Sequence, residues 1–332
     1  MSIRHSRLSR RHTLKLAAAG LLCAAITPAL ASDDYPNRPI SLIVSAAPGG
    51  TTDIAARMIA DPLGKVLGQT VVVDNKPGAS GAIAAQSVLR SQADGYNLLL
   101  QYSGYQVITP HIQANLGFDP IADFEPVANV LSAPQLIVVR PELPIHSLKE
   151  LVEYAKTNPG MLNYASSGNG SLQHMATELL NQMADINTVH IPYKGTGPAL
   201  TDLLGGNVDM TITTPPPLLP HIEAGKLRAL AVTGDKRIES LPDVPTAAEA
   251  GFPDLVISSW FAMYAPKGTP KPVIDKLAGE IEQIMKTDAF REKAVSLGAD
   301  AAFMGPETLG AYTQEELDRW GKVVKAANIT AQ

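Results

Sequence analysis

The run Ser45-Ala46-Ala47-Pro48-Gly49-Gly50-Thr51-Thr52-Asp53 directly follows the apolar stretch Ile40–Val44. This is the pattern of a strand, a glycine turn and the start of a helix. Two glycines let a backbone come close to a ligand, because no Cβ stands in the way. The first N–H groups of a helix have no internal partner and can point at an anion. The same chemistry recurs at Tyr164-Ala165-Ser166-Ser167-Gly168-Asn169-Gly170-Ser171. Two such turns suit a cleft that clamps a carboxylate.

Candidate ligand contacts in the first turn are Ala46, Ala47, Pro48, Gly49, Gly50, Thr51 and Thr52. Asp53 reads as a cap on its own helix, since a carboxylate facing the ligand would repel an anion. In the second loop the candidates are Ser166, Ser167, Gly168, Asn169, Gly170 and Ser171. Ser103, Gly104 and Tyr105 follow the end of a strand, where α/β clefts bind ligands. His174 falls one turn into a helix, as a loop brace or a ligand group. Tyr193 could wall the pocket, and Lys194 could equally be solvated. Asp209, at the start of a strand, could orient a water or the second polar end of a ligand. Trp260 reads as core or hinge packing.

An enzyme is not expected. The chain lacks a G-x-S-x-G nucleophile elbow, H-E-x-x-H and a Walker A loop. Its histidines at 111, 146, 174, 190 and 221 are scattered, so neither a catalytic site, a metal site nor a cofactor is expected.

Strand and helix signals alternate along the chain. Strands are expected at 40–44, 70–73, 97–102, 136–139, 162–165, 189–191, 208–213 and 227–233. Helices are expected at 52–67, from the 75–81 turn through Leu89, and at 148–157, 171–183, 197–204, 272–286 and 306–326. Pro62 should kink the first of them. Ser147-Leu148-Lys149-Glu150 is a capping box. Glu315/Arg319 and Asp318/Lys322 have the i,i+4 spacing of helical ion pairs. Alternation of this kind gives an α/β protein with mostly parallel sheets and helices on both faces. A second lobe should begin near Val130 and the chain should return to the first near 256–264. Two crossings imply a hinged cleft.

The N-terminus reads as an export signal. Arg4, Arg7, Arg10, Arg11 and Lys15 precede a short apolar core, and Ala29-Leu30-Ala31 is an A-x-A cleavage site. Ser9-Arg10-Arg11-His12-Thr13 resembles a twin-arginine motif, leaving Tat and Sec export both open. Cys23, the only cysteine, lies inside this leader after the large Leu22, which disfavours a lipoprotein anchor. Losing the five leader cations takes the formal charge from −5 to −10, which argues against nucleic acid or an anionic membrane as partner. An anionic ligand must then be held by local dipoles. No later stretch has the length of a membrane span.

Taken in order, Pro48-Gly49-Gly50 with Asp53, Asp74-Asn75-Lys76-Pro77-Gly78-Ala79, Asp94-Gly95-Tyr96, Ser167–Ser171 with His174, Pro192-Tyr193-Lys194-Gly195, Leu204–Asp209, Gly225–Val232, Leu241–Thr246 and Ala265–Pro270 resemble the Bug (TctC-type) family. These are periplasmic receptors of tripartite tricarboxylate transporters. The resemblance covers the whole mature chain. It implies a two-lobed, Venus-flytrap periplasmic binding protein: residues 1–31 as signal peptide, 32–132 plus 258–332 as one lobe, 133–257 as the other. It implies a monomer that holds a ligand carboxylate between the two glycine loops, largely through N–H groups and water. It further implies a di- or tricarboxylate ligand and delivery to the membrane components of a transporter. A sensing receptor for a membrane signalling partner is the alternative, and an exported hydrolase the remotest. Family members often carry an aromatic residue where this chain has Ala46, which should leave room for a bulkier acid such as an aromatic dicarboxylate.

Overall fold

The structure is a computed structural model that describes residues 35–113 and 115–326. The expected leader, its cleavage site and Cys23 lie outside the described residues.

Two five-stranded sheets share one unit that begins at Pro36. The first contains β1 (Ile40–Val44), β2 (Val71–Asn75), β3 (Asn97–Tyr102), β4 (Phe124–Pro134) and β10 (Ser258–Pro266), in the order β2-β1-β3-β10-β4. The second contains β5 (Leu136–Val139), β6 (Asn163–Ser166), β7 (Val189–Pro192), β8 (Met210–Thr213) and β9 (Arg228–Val232), in the order β7-β6-β8-β5-β9. Strands β1 and β3 are mostly apolar runs because helices cover both faces. Ile40, Leu42, Val44, Leu98, Leu99 and Leu100 are fully buried.

The two sheets repeat one plan. In each, three neighbouring strands run parallel, and one antiparallel strand is inserted fourth: β10 in the first and β5 in the second. Each inserted strand is the one that has just arrived from the other sheet. A chain crossing over enters at the edge where the parallel strands end, so it must run against them. Ser258 accordingly pairs with Pro134, and Leu136 with Thr213. The cleft therefore lies at the carboxyl ends of the parallel strands of both sheets, the general position for ligands in open α/β sheets.

The crossings lie side by side. Gln135, between β4 and β5, donates its N–H to Thr233 Oγ1 (2.9 Å) and accepts from Thr233 N–H (2.8 Å). Thr233 Oγ1 donates to Ile257 C=O (2.6 Å), and Gln135 Nε2 to Ser259 Oγ (2.8 Å).

Helices α1 (Thr51–Leu67), α2 (Ala82–Leu89), α3 (Thr109–Ile112), α4 (Leu148–Thr157), α5 (Leu172–Ala184), α6 (Thr196–Leu204), α7 (Leu219–Glu223), α8 (Lys271–Met285), α9 (Asp288–Ser296) and α10 (Pro306–Ala326) connect and flank the strands. Two differences from the sequence expectations have physical causes. First, β4 is an eleven-residue strand where none was expected. It contains Pro126 and Pro134, which lack an N–H, but β4 is an edge strand, where a missing N–H is tolerated. Second, Arg319 pairs with Glu316 (2.7 Å), not Glu315, because Glu316 is also fixed by Trp320 Nε1 (3.2 Å). Helix α1 contains Pro62 and runs to Gly68, a left-handed C-cap with φ 68°. The capping box of α4 forms with one change. Ser147 Oγ accepts from Glu150 N–H (3.1 Å), while Glu150 reaches back to His146 N–H (2.6 Å).

Candidate functional site

The first glycine turn leaves β1 at the cleft edge. Its Ala46 C=O accepts from Asn75 Nδ2 (3.0 Å), because β2 runs two residues beyond its expected end and sets Asn75 beside Val44. Gly49 takes φ 85°, a left-handed value that favours glycine. Its N–H donates to Asp53 Oδ2 (3.1 Å), and Asp53 is held in turn by Arg57 (3.0 Å). Asp53, expected as a cap on α1, instead braces the turn ahead of the N-cap Gly50. The first bond inside α1 runs from Ile54 N–H to Gly50 C=O (3.0 Å), so Thr51, Thr52 and Asp53 have N–H groups without an intrahelical acceptor.

The second glycine loop is braced from behind. Ser166 Oγ accepts from Gly168 N–H (3.1 Å) and bonds His190 Nε2 (2.6 Å). Gly170 N–H donates to His174 Nδ1 (3.3 Å), and Ser171 caps α5 by accepting from His174 N–H (3.3 Å). His174 is 4% exposed and stacks on His190. Burial pushes the His174 imidazole below its usual range. Burial, then the electrostatic cost of a second cation beside His174, pushes His190 down to about 3. Both rings therefore stay neutral and hold the loop in shape.

Between the turns lies an enclosed cavity of ≈10 Å³, room for about one water. The first sheet and its loops contribute Ala46, Gly50, Thr51, Thr52, Tyr102, Tyr105, Ser259 and Phe261. From the second come Ser167, Gln173, Thr196 and Thr214. Among the described residues no charged side chain lines it. The lobes meet here through specific bonds. Thr51 Oγ1 lies 2.6 Å from Thr214 Oγ1, and Tyr105 OH donates to Ser167 C=O. Ala47 N–H donates to Lys194 C=O (3.3 Å). The amide of Gln173 uses its full bonding capacity. Its oxygen accepts from Tyr102 OH (2.9 Å) and Ser167 Oγ (2.7 Å). Its nitrogen donates to Thr196 Oγ1 (3.2 Å) and Thr213 Oγ1 (3.0 Å). Tyr102 OH also accepts from Leu172 N–H, so a first-lobe hydroxyl oxygen sits where an anion oxygen would sit at the start of α5. Burial holds the Tyr102 phenol well above its usual range and pushes Tyr105 up to about 12, so both remain neutral donors.

Of the sequence candidates, Ala46, Gly50, Thr51, Thr52, Tyr105 and Ser167 line this cavity. Pro48 and Gly49 are exposed on its outer side. Ser103 Oγ accepts from Trp260 N–H (3.3 Å), and Gly104 is packed against Tyr102 and Leu172. Gly168, Asn169 and Tyr193 line a second, outer pocket together with Tyr105 and Ser167. Ser166, Gly170, Ser171 and His174 act as braces rather than lining groups. Asp209 is a correction. It immediately precedes β8, and at about 3.3 Å per residue that four-residue strand sets it far from the cleft edge. There it pairs with Arg140 (2.9 Å) and accepts from Asn163 N–H (3.0 Å). Ala46 lines the cavity together with Tyr102, Tyr105 and Phe261. Sequence reasoning missed Tyr102, Gln173, Thr196, Thr214, Ser259 and Phe261. Gln173 and Thr196 lay within reach, each close to a glycine of a recognised motif.

The profile of the tripartite tricarboxylate transporter family receptor (TctC) matches residues 55–329. The protein BugT of Bordetella pertussis is 38% identical over 316 residues, 94% of this chain and 97% of that one. The solved periplasmic binding protein BugD superposes with a TM-score of 0.85 at 38% identity, covering 90% of this chain and 100% of that one. An R. palustris protein, Rpa4515, solved with adipate, gives a TM-score of 0.87 at 38% identity over 90% of this chain and 99% of its own. This chain, with its paired sheets and facing glycine turns, belongs to the tripartite tricarboxylate transporter receptor family.

Proposed function

We propose that this chain is a periplasmic receptor that captures a small carboxylate, a di- or tricarboxylate, by closing two lobes on it, and that it delivers the ligand to the membrane components of a tripartite tricarboxylate transporter. The observation that carries this reading is the cavity between the turns. Two helix starts from separate sheets converge on it, and its lining is neutral hydroxyls, amides and rings. Such donors can hold an anion without a buried cation, whose desolvation is expensive. The adipate found with Rpa4515 is a dicarboxylate, which supports the ligand class. The moving bodies would be residues 32–132 with 258–332, and 133–257, turning about Gln135 and Ile257. Gly50, Thr51, Thr52 and Ser167 would meet the ligand, with Ala46 and Tyr105 shaping the space. Release from the cytoplasm would use the N-terminal leader, cleaved near Ala31. Receptor duty does not call for catalysis.

Calorimetry with a panel of carboxylates and their neutral amides tests the proposal. A carboxylate should bind and its amide should bind at least about tenfold more weakly, since charge-assisted hydrogen bonds are worth roughly 1.5–3 kcal/mol each. Equal affinity for acid and amide would sink it.

A further inference from the structure

The cavity of ≈10 Å³ is too small to enclose even a short carboxylic acid whole. A ligand that anchors there must extend into neighbouring space between the lobes. The outer pocket is that space, with a volume of ≈210 Å³. Tyr105 and Ser167 line both compartments, and the Tyr105 OH bond to Ser167 C=O is the partition between them. One residue pair thus divides an inner, uncharged compartment from an outer one.

The outer compartment has different chemistry. Lys194 is the only charged residue that lines it among the described residues, and its ammonium makes no ion pair there. One wall is the turn Gly78-Ala79-Ser80-Gly81, in which four successive residues have positive φ (120°, 46°, 46° and 86°). For Ala79 and Ser80 this conformation costs free energy and persists only where the surroundings enforce it. Here they do: Ser80 Oγ donates to Asn169 C=O across the cleft (2.8 Å), and Gln113 Nε2 donates to Ser80 Oγ (3.1 Å). The strained turn is therefore pinned to the tip of the second glycine loop and fixes one wall of the compartment.

We infer that the outer compartment is a second anion subsite, in which Lys194 receives the far carboxylate of an elongated diacid whose near carboxylate lies between the glycine turns. This rests on the proposed carboxylate function and adds chain-length selectivity to it. A ligand that spans both compartments breaks the Tyr105–Ser167 partition and replaces it with its own chain. A diacid too short to reach Lys194 leaves the partition standing and gains nothing from the second charge. A long monoacid crosses the partition but brings no charge to the lysine.

The experiment is calorimetry of the mature protein and of Lys194→Gln with straight-chain diacids from succinate to suberate and with the monoacids of matching length. Lys194 is exposed, so the substitution leaves the fold intact, which thermal unfolding checks. In the wild type the longer diacids should bind about tenfold or more tightly than their monoacids. Lys194→Gln should erase that advantage and leave the monoacids unchanged. If Lys194→Gln weakens diacids and monoacids equally, or neither, the subsite is wrong while the carboxylate function stands. If the wild type binds neither diacids nor monoacids, the carboxylate function fails and the subsite fails with it.

Discussion

The imidazole rings of His174 and His190 stack with centroids 4.1 Å apart and planes within 4° of parallel, and each reaches the second glycine loop through one nitrogen. His174 Nδ1 accepts the Gly170 N–H, so it must be unprotonated for that bond to exist. Tyr164 also packs against His190 (4.9 Å) and donates to Glu178, whose charge raises the His174 pKa but does not outweigh burial.

This pair sets a pH dependence. Both folded-state values lie below the unfolded value of about 6.5, so the unfolded chain binds more protons in mildly acid solution. The stability contributed by keeping the rings neutral is whole above pH ~6.5. It falls as the pH drops, with a slope of up to about 1.4 kcal/mol per pH unit for each ring. For His190 the loss continues to about pH 3. Thermal unfolding between pH 7.5 and 5 should show a steeper fall for the wild type than for His190→Gln. Equal slopes would mean that the stack does not titrate as argued.

A second prediction concerns the brace behind the first turn. Asp53 is 5% exposed and lies at the positive end of α1, where it holds Gly49 N–H while Arg57 neutralises it. Arg57→Gln leaves an uncompensated carboxylate near the bound anion, so affinity for a carboxylate should fall several-fold, most at low salt. Asp53→Asn in the same background removes the charge and should recover most of the loss. The coupling between the two changes should lie at roughly 0.5–3 kcal/mol, the range for contacting residues. Additive effects in calorimetry at two ionic strengths would dismiss the electrostatic link.

Much of the architecture was legible because it rests on local signals. The glycine turns, the Ser147 cap and the buried runs at 40–44, 97–102 and 136–139 depend on neighbours within a few residues. What stayed hidden depends on tertiary placement. Strand β4 carries Pro126 and Pro134, and only its edge position makes them acceptable. Asp209 looked available because sequence does not say which end of β8 faces the cleft. The Tyr102–Leu172 and Thr51–Thr214 contacts join residues 70 and 163 positions apart, and no periodicity encodes such a meeting. His190 was one scattered histidine among several until β7 paired with β6 and set it against Tyr164.

The last prediction isolates closure from loop structure. Gly197 is the second residue of α6, and a Cβ there would lie 2.1 Å from Pro48 C=O, on the opposing lobe. Its φ is not in the left-handed region, so alanine suits the helix itself and should stabilise it by up to about 1 kcal/mol relative to glycine. The clash exists only when the lobes are together. Gly197→Ala should therefore keep or slightly raise the unfolding temperature, weaken carboxylate binding at least about tenfold, and give a larger radius of gyration in small-angle scattering with ligand present. A substitution at Gly50 is a blunter test, because its Cβ would meet Thr196 Cβ at 3.3 Å, a distance a small shift can relieve. The backbone carbonyl of Pro48 sits in a turn fixed by Asn75 and Asp53 and has less freedom to retreat. If Gly197→Ala bound carboxylate as tightly as the wild type and compacted to the same extent, the approach of α6 to the first glycine turn would not be part of the ligand-bound state.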